Sequence, residues 1–141
     1  LILTTGRILS QYNVGAQTRR TENVVWHDAD VLEIHPHDAE QRGIKDGGSV
    51  EVASRAGKVT LRARVTERIQ PGVVYTTFHH PDTGTNVVTT ENSDWATNCP
   101  EYKVTAVEVT PVNRPSEWQR HHRDFTEQQE ELLENRVVTK K

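Results

Sequence analysis

Two polar segments carry the residue types that grip a large anion. The first, residues 4–21, reads TTGRILSQYNVGAQTRRT, and the second, residues 75–103, reads YTTFHHPDTGTNVVTTENSDWATNCPEYK. Arg7, Arg19 and Arg20 stand in the first, with no acidic residue before Glu22. Guanidinium forks and backbone N–H groups offered together suit phosphate. Each charge-assisted bond contributes about 1.5–3 kcal/mol, so two or three arginines hold a phosphate-bearing cofactor even on a weakly apolar surface. The plain alternative is a solvated loop. Against it, loops beyond about 12–15 residues are usually functional or disordered, and this one holds Gly6 and Gly15 where there is little core to gain.

Other chemistry is thinly supported. The seven histidines include His35 and His37 across Pro36, and the pairs His79-His80 and His121-His122. A structural zinc site asks for about four N or S ligands at closed spacing, and no CxxC or HExxH occurs. His37 therefore reads as a helix-start residue, and His79 and His80 as loop donors facing the ligand. Cys99 is the single cysteine, with no general base beside it in sequence. It allows no internal disulfide and fits a reducing compartment. Gly48-Ser49 invites comparison with self-cleaving Gly-Ser bonds, but it sits in an Asp-Gly-Gly turn. No paired carboxylates, phosphate loop or nucleophile–base set is present, so no catalytic residue is assigned.

The elements that must position the polar segments are short strands. At 141 residues with 33% apolar content, the chain has room for one small core. Val and Thr dominate the composition, which favours strands. Strands are expected over residues 1–5, 31–34, 50–53, 59–65, 73–77 and 103–109, with residues 7–23 an irregular loop. On the last strand Val104, Ala106 and Glu108 share one face, and Thr105, Val107 and Val109 the other. Asp38 is placed as the cap of a short helix over 39–42, closed by Gly43. Residues 55–58 turn the hairpin. About six strands, turn signals and a short helix or two predict a mainly β compact barrel over residues 1–113. Residues 114–141 read as a polar helical or disordered tail, with helix over 116–136. Trp118, Phe125 and Leu132 form one thin stripe along it. The net charge of −3 offers no field for nucleic acid or an anionic membrane. No methionine occurs even at position 1, so the chain is expected to be a piece of a longer polypeptide.

Four stretches, TTGRILSQYNVGAQTRR (4–20), HPHDAEQRGIKDGGSVEVASRAG (35–57), ARVTERIQPGVVYTTFH (63–79) and NVVTTENSDWATNCPEYKVTAVEV (86–109), resemble the C-terminal domain of molybdopterin-dependent oxidoreductases of the DMSO-reductase superfamily. The His79-His80-Pro81 loop and the tail look most like the cytoplasmic, NAD-linked formate dehydrogenase alpha subunit. This resemblance implies a double-psi β-barrel that binds molybdopterin guanine dinucleotide, with molybdenum or tungsten held by the parent enzyme. It implies Gly6, Arg7, Asn13, Gly15, Thr18 and Arg19 on one side of the cofactor, and Asn86, Thr89, Tyr102 and Lys103 on the other. Arg and Lys suit phosphate, Asn and Thr suit amide and pterin edges, and Gly suits close backbone approach. The metal-ligating Cys or selenocysteine and the iron–sulfur cysteines of such enzymes have no counterpart here. The resemblance implies as partners the remaining domains of the parent polypeptide and electron-transfer subunits. The fragment alone is expected to be inactive, while the parent oxidises formate to CO2 and passes electrons through iron–sulfur clusters to NAD. A stand-alone interaction module for peptide or DNA is the competing reading, since barrels of this topology serve such roles.

Overall fold

The computed structural model describes residues 1–112, so the tail at 114–141 and its expected helix lie outside the described residues. Seven strands run in chain order as β1 (Ile2–Gly6), β2 (Val31–Ile34), β3 (Ser49–Ala53), β4 (Lys58–Val65), β5 (Val73–Thr77), β6 (Thr105–Ala106) and β7 (Glu108–Pro111). Their order across the sheet is β6-β1-β5-β2-β4-β3-β7. Strands β1 and β5 are parallel, as are β2 and β4, and the two pairs join through an antiparallel β2–β5 contact. Parallel neighbours need long crossovers. Two parallel pairs joined through one antiparallel contact, with the sheet curling round, give the double-psi β-barrel.

Alternation builds the core. Val50 and Val52 on β3 and Leu61 and Ala63 on β4 point inward, meeting Leu3, Leu32, Ile34, Val74, Val107 and Val109. Polar residues between them face out, as period-two strands require. The hairpin turn at 54–57 is held by Ser54, whose N–H donates to the Gly57 carbonyl at 2.9 Å and whose Oγ accepts from Ala56 at 3.0 Å.

Two expectations are corrected. The segment expected as one strand over 103–109 is two strands, β6 on β1 and β7 on β3. Val107 lies between them and donates its N–H to the Leu1 carbonyl at 2.9 Å. The two ends of the sheet order are therefore one residue apart in the chain, and the sheet curls round on itself. The alternation survives the break: Thr105, Val107 and Val109 are buried, while Val104, Ala106 and Glu108 are exposed. The helix α1 spans Pro36–Gln41, and its cap is His35 rather than Asp38. Pro36 at the first helical position needs no N–H acceptor and presets the turn. The His35 Nδ1 accepts from the His37 N–H at 3.1 Å, so His37 does stand at the helix start. Asp38 is buried instead and accepts from the Gly72 N–H at 2.7 Å.

Candidate functional site

Both polar segments leave the barrel at the same place. Gly6 and Thr77 are register partners at the carboxyl ends of the parallel neighbours β1 and β5. The first arm departs from Arg7 and the second from Phe78, so strand pairing alone puts their roots side by side. His79 then ties them together. Its Nε2 accepts from the Ile8 N–H at 3.1 Å, and its Nδ1–H donates to the Asn13 carbonyl. The end of the second arm returns to the same edge: the Thr5 hydroxyl donates to the Tyr102 carbonyl, and the Lys103 Nζ to the Thr5 carbonyl, each at 2.6 Å.

Cations and rings alternate at this junction. The Arg7 guanidinium lies 5.3 Å from the Phe78 ring centroid, Phe78 meets Tyr102 edge-on at 6.1 Å, and the Lys103 Nζ is 5.1 Å from the Tyr102 ring. Among the described residues, no carboxylate lies within ion-pair reach of Arg7, Arg19, Arg20 or Lys103. Four cations without counter-ions suit a phosphate-bearing ligand.

Several predicted residues shape the arm itself. Asn13 accepts from the Arg7 Nε and Nη2 at 3.2 and 3.0 Å. Thr18 donates to the Gln11 Oε1 at 2.6 Å and accepts from the Tyr12 N–H at 3.2 Å. Arg19 donates through Nε to the Gly15 carbonyl at 3.3 Å. The glycines make room for protein: a Cβ on Gly6 would lie 2.6 Å from the Tyr75 ring, and one on Gly15 would lie 2.8 Å from the Arg19 Nε. Asn86 and Thr89 sit farther along the second arm, on and just after the 3-10 turn Thr85–Val88. There the Thr89 hydroxyl donates to the Asn86 carbonyl at 2.8 Å. The Thr90 hydroxyl reaches the Glu101 carbonyl at 3.2 Å and links this turn to the Tyr102 side.

His79 and His80, expected to face a ligand, are both buried. The cause is Asp30, a carboxylate only 1% exposed that sequence reasoning missed. It accepts from the His80 N–H at 3.0 Å, the His80 Nδ1 at 3.1 Å, the His79 N–H at 3.2 Å, the Thr83 hydroxyl at 2.7 Å and the Thr77 hydroxyl. Burial alone would raise its pKa. The bonds from His80, Thr77 and Thr83 outweigh that and hold it at about 2.

A cleft of about 780 Å³ opens beside the junction. Arg7 to Ser10 form one wall, and Trp26 to Ala29 with Arg62, Arg64 and Arg68 form another. Glu33, largely buried, lies 3.9 Å from Arg64 and 3.7 Å from Arg68. Burial and then the Glu33 charge raise the pKa of Tyr75, whose hydroxyl donates to the Arg7 carbonyl at 3.2 Å. Arg62 and Arg64 were visible in the sequence as the polar partners of Leu61 and Ala63 on β4. Asp30 carried no comparable signal, because its five donors lie 47 to 53 positions away.

The family described as "Molydopterin dinucleotide binding domain" matches residues 1–106. The chain belongs to that molybdopterin dinucleotide-binding family. It is 40% identical over 113 residues to the F420-dependent formate dehydrogenase 1 subunit alpha of Methanococcus maripaludis, covering 79% of this chain and 17% of that protein. It is 43% identical over 112 residues to the F420-dependent formate dehydrogenase subunit alpha of Methanocaldococcus jannaschii, with the same coverage. The assimilatory nitrate reductase catalytic subunit of Bacillus subtilis is 35% identical over 114 residues, covering 79% of this chain and 16% of the relative. Acetylene hydratase from Pelobacter acetylenicus superposes with a TM-score of 0.66 at 16% identity, over 79% of this chain and 18% of that one. At that identity the likeness shows the fold alone. The formate dehydrogenase and nitrate reductase relatives are alpha or catalytic subunits, and this molybdopterin dinucleotide-binding domain spans about one sixth of their length. Among the described residues no group of three or more His, Cys, Asp or Glu is placed to hold a metal, and no helix is long and apolar enough to cross a membrane.

The donor set fits a dinucleotide. Besides the unpaired cations, the first arm holds a buried Ser10 Oγ and Gln11 Nε2 without partners, and the second a buried His80 Nε2. Buried polar atoms of this kind ask for a ligand, a water or a covering domain.

Proposed function

We propose that this domain binds molybdopterin guanine dinucleotide within the alpha subunit of a molybdenum- or tungsten-dependent formate dehydrogenase. The observation that carries this reading is the shared root of the two arms, which sets Arg7, Tyr102 and Lys103 at one edge of the barrel. Arg7, Arg19 and Lys103 would meet phosphates. Gly6, Asn13, Gly15 and Thr18 hold the first arm in shape, and Asn86 and Thr89 extend the contact along the second. When bound, the metal-loaded cofactor supplies the two-electron redox centre. The parent would release CO2, one proton and two electrons from each formate.

Leu9 and Tyr12 on the first arm, Trp26 just beyond it and Trp95 on the second arm are large apolar side chains left exposed. Such exposure supports a covering contact with the remaining domains of the parent. The metal ligand and the iron–sulfur clusters belong to those domains or to partner subunits, because Cys99 is exposed and alone. The electron acceptor is a property of those partners. The resemblance in the His79-His80-Pro81 loop points to an NAD-linked parent, while formate dehydrogenase relatives carry F420 in their names. A cytoplasmic location accords with the lone free thiol.

The test is the purified parent enzyme, assayed for metal, released guanine nucleotide and formate-dependent reduction of NAD and of F420. Arg19→Ala is expected to lower cofactor content while leaving the barrel folded. Full occupancy in that variant contradicts the assignment.

A further inference from the structure

The first arm has turns and side-chain bonds of its own, among them Gly15 N–H to the Tyr12 carbonyl at 2.8 Å and Thr18 to Gln11 at 2.6 Å, but these do not tie it to the barrel. Between Arg7 and Gly15 it contains no strand, and Asn13 adopts φ 47, a left-handed conformation uncommon outside glycine that asparagine accepts better than most residues. Such a residue persists only when its surroundings over-determine it. Two contacts hold it here. One is the Arg7–Asn13 side-chain contact, which is exposed. The other is the Asn13 carbonyl on the His79 Nδ1–H, and the same ring accepts the Ile8 N–H through Nε2.

His79 is thus a brace between two points of the arm, five residues apart. It is 0% exposed, so it does not meet a ligand on the arm's outer surface. With Nε2 accepting and Nδ1–H donating, the ring is confined to one neutral tautomer. The charged and titratable groups around it are the Asp30 carboxylate beneath its backbone, the His80 ring bound to that carboxylate, and Arg19, which packs with the His79 carbonyl around Gly15.

Asp30 aims the brace. The chain leaving β5 after Thr77 has no sheet partner, and Asp30 takes its donors in place of a strand: the Thr77 hydroxyl, the His79 and His80 N–H groups, and the Thr83 hydroxyl. Fixing that backbone turns the His79 ring under the first arm. Asp30 belongs to neither arm, yet through His79 it governs both.

We infer that Asp30 and His79 form a latch that sets the first arm in its ligand-binding shape, acting as positioning residues that do not touch the ligand. The inference rests on the proposed cofactor role of the arms. The test uses the full 141-residue chain, isotope-labelled for NMR, with GDP as the probe for the dinucleotide end. In the wild type, the His79 nitrogen shifts should show a protonated Nδ1 and a bare Nε2.

His79→Phe keeps the volume and loses both bonds. Exchange of the Ile8 amide should then quicken about tenfold or more and GDP affinity fall about tenfold, while the Leu32 and Leu61 amides stay protected. His79→Gln, which keeps a donor and an acceptor, should recover part of both losses. It also serves as the test variant if His79→Phe does not fold. Asp30→Asn should reproduce the His79→Phe pattern at Ile8. Unchanged Ile8 exchange in His79→Phe overturns the latch, and so does faster exchange with unchanged GDP affinity. No response of the wild-type chain to GDP overturns the functional reading instead. The two failures are distinguishable because Ile8 exchange is read without ligand.

Discussion

At the residue scale, the molecule turns on Asp30 and on two glycines whose missing side chains are occupied by neighbours. Asp30 has a folded pKa of about 2 against 3.8. A difference of that size stabilises the folded state by about 2 kcal/mol at neutral pH. Because the folded value is depressed, the contribution is fully present above 3.8 and disappears as pH falls through about 2. Asp30→Asn should therefore unfold at lower urea than the wild type at pH 7, with the gap narrowing toward pH 2. A gap that does not change with pH would show that the carboxylate charge is not what the site uses. Gly6 gives a second case: its absent Cβ would lie 2.6 Å from the Tyr75 ring. Gly6→Ala should cost about 1–3 kcal/mol, and much less in a Tyr75→Ala background. Additive costs in that double-mutant cycle would show that the two residues do not compete for the same space.

At the element scale, the parallel β1–β5 pair does the organising, because it sets the roots of both arms at one edge. Helix α1 supports that pair indirectly. Its buried Asp38 receives the Gly72 N–H one residue before β5 begins. Asp38→Ala should cost about 1–3 kcal/mol by leaving that amide without its partner. His35→Ala removes only a cap and should cost about 1 kcal/mol. Equal losses in chemical denaturation would mean that Asp38 acts as a cap after all.

The strands were legible because inward residues recur at every second position: Val50 with Val52, Leu61 with Ala63, Thr105 with Val107 and Val109. The break at Val107 was not legible, since alternation continues across it and only the change of partner strand reveals it. Likewise, polar Thr, Asn and Arg marked the arms as candidate binding segments, and the structure roots both arms at one edge of the barrel. What remained hidden was that His79 and His80 turn inward. Their burial depends on a carboxylate about fifty positions upstream, and no local pattern encodes that contact. The sequence likewise did not show that Gly6 and Gly15 serve packing, because the atoms that fill their space come from Tyr75, Arg19 and the His79 carbonyl.

At the scale of the whole molecule, a small Val-rich barrel presents a cationic edge that carboxylates among the described residues do not neutralise. The chain covers 17% of its formate dehydrogenase relatives, and exposed Leu9, Tyr12, Trp26 and Trp95 mark where more protein would cover it. Purified alone, it should show no formate oxidation in the presence of any electron acceptor. Turnover by the isolated chain would place a redox centre inside it. The central claim is that the two arms act as one cradle. Amide-shift mapping of the labelled wild-type chain during GDP titration tests it most directly. The expected result is a single saturable transition that moves amides of the first arm between Arg7 and Arg19 together with those near Phe78, Tyr102 and Lys103. Shifts confined to one arm, or centred on the 54–57 hairpin turn, would contradict it.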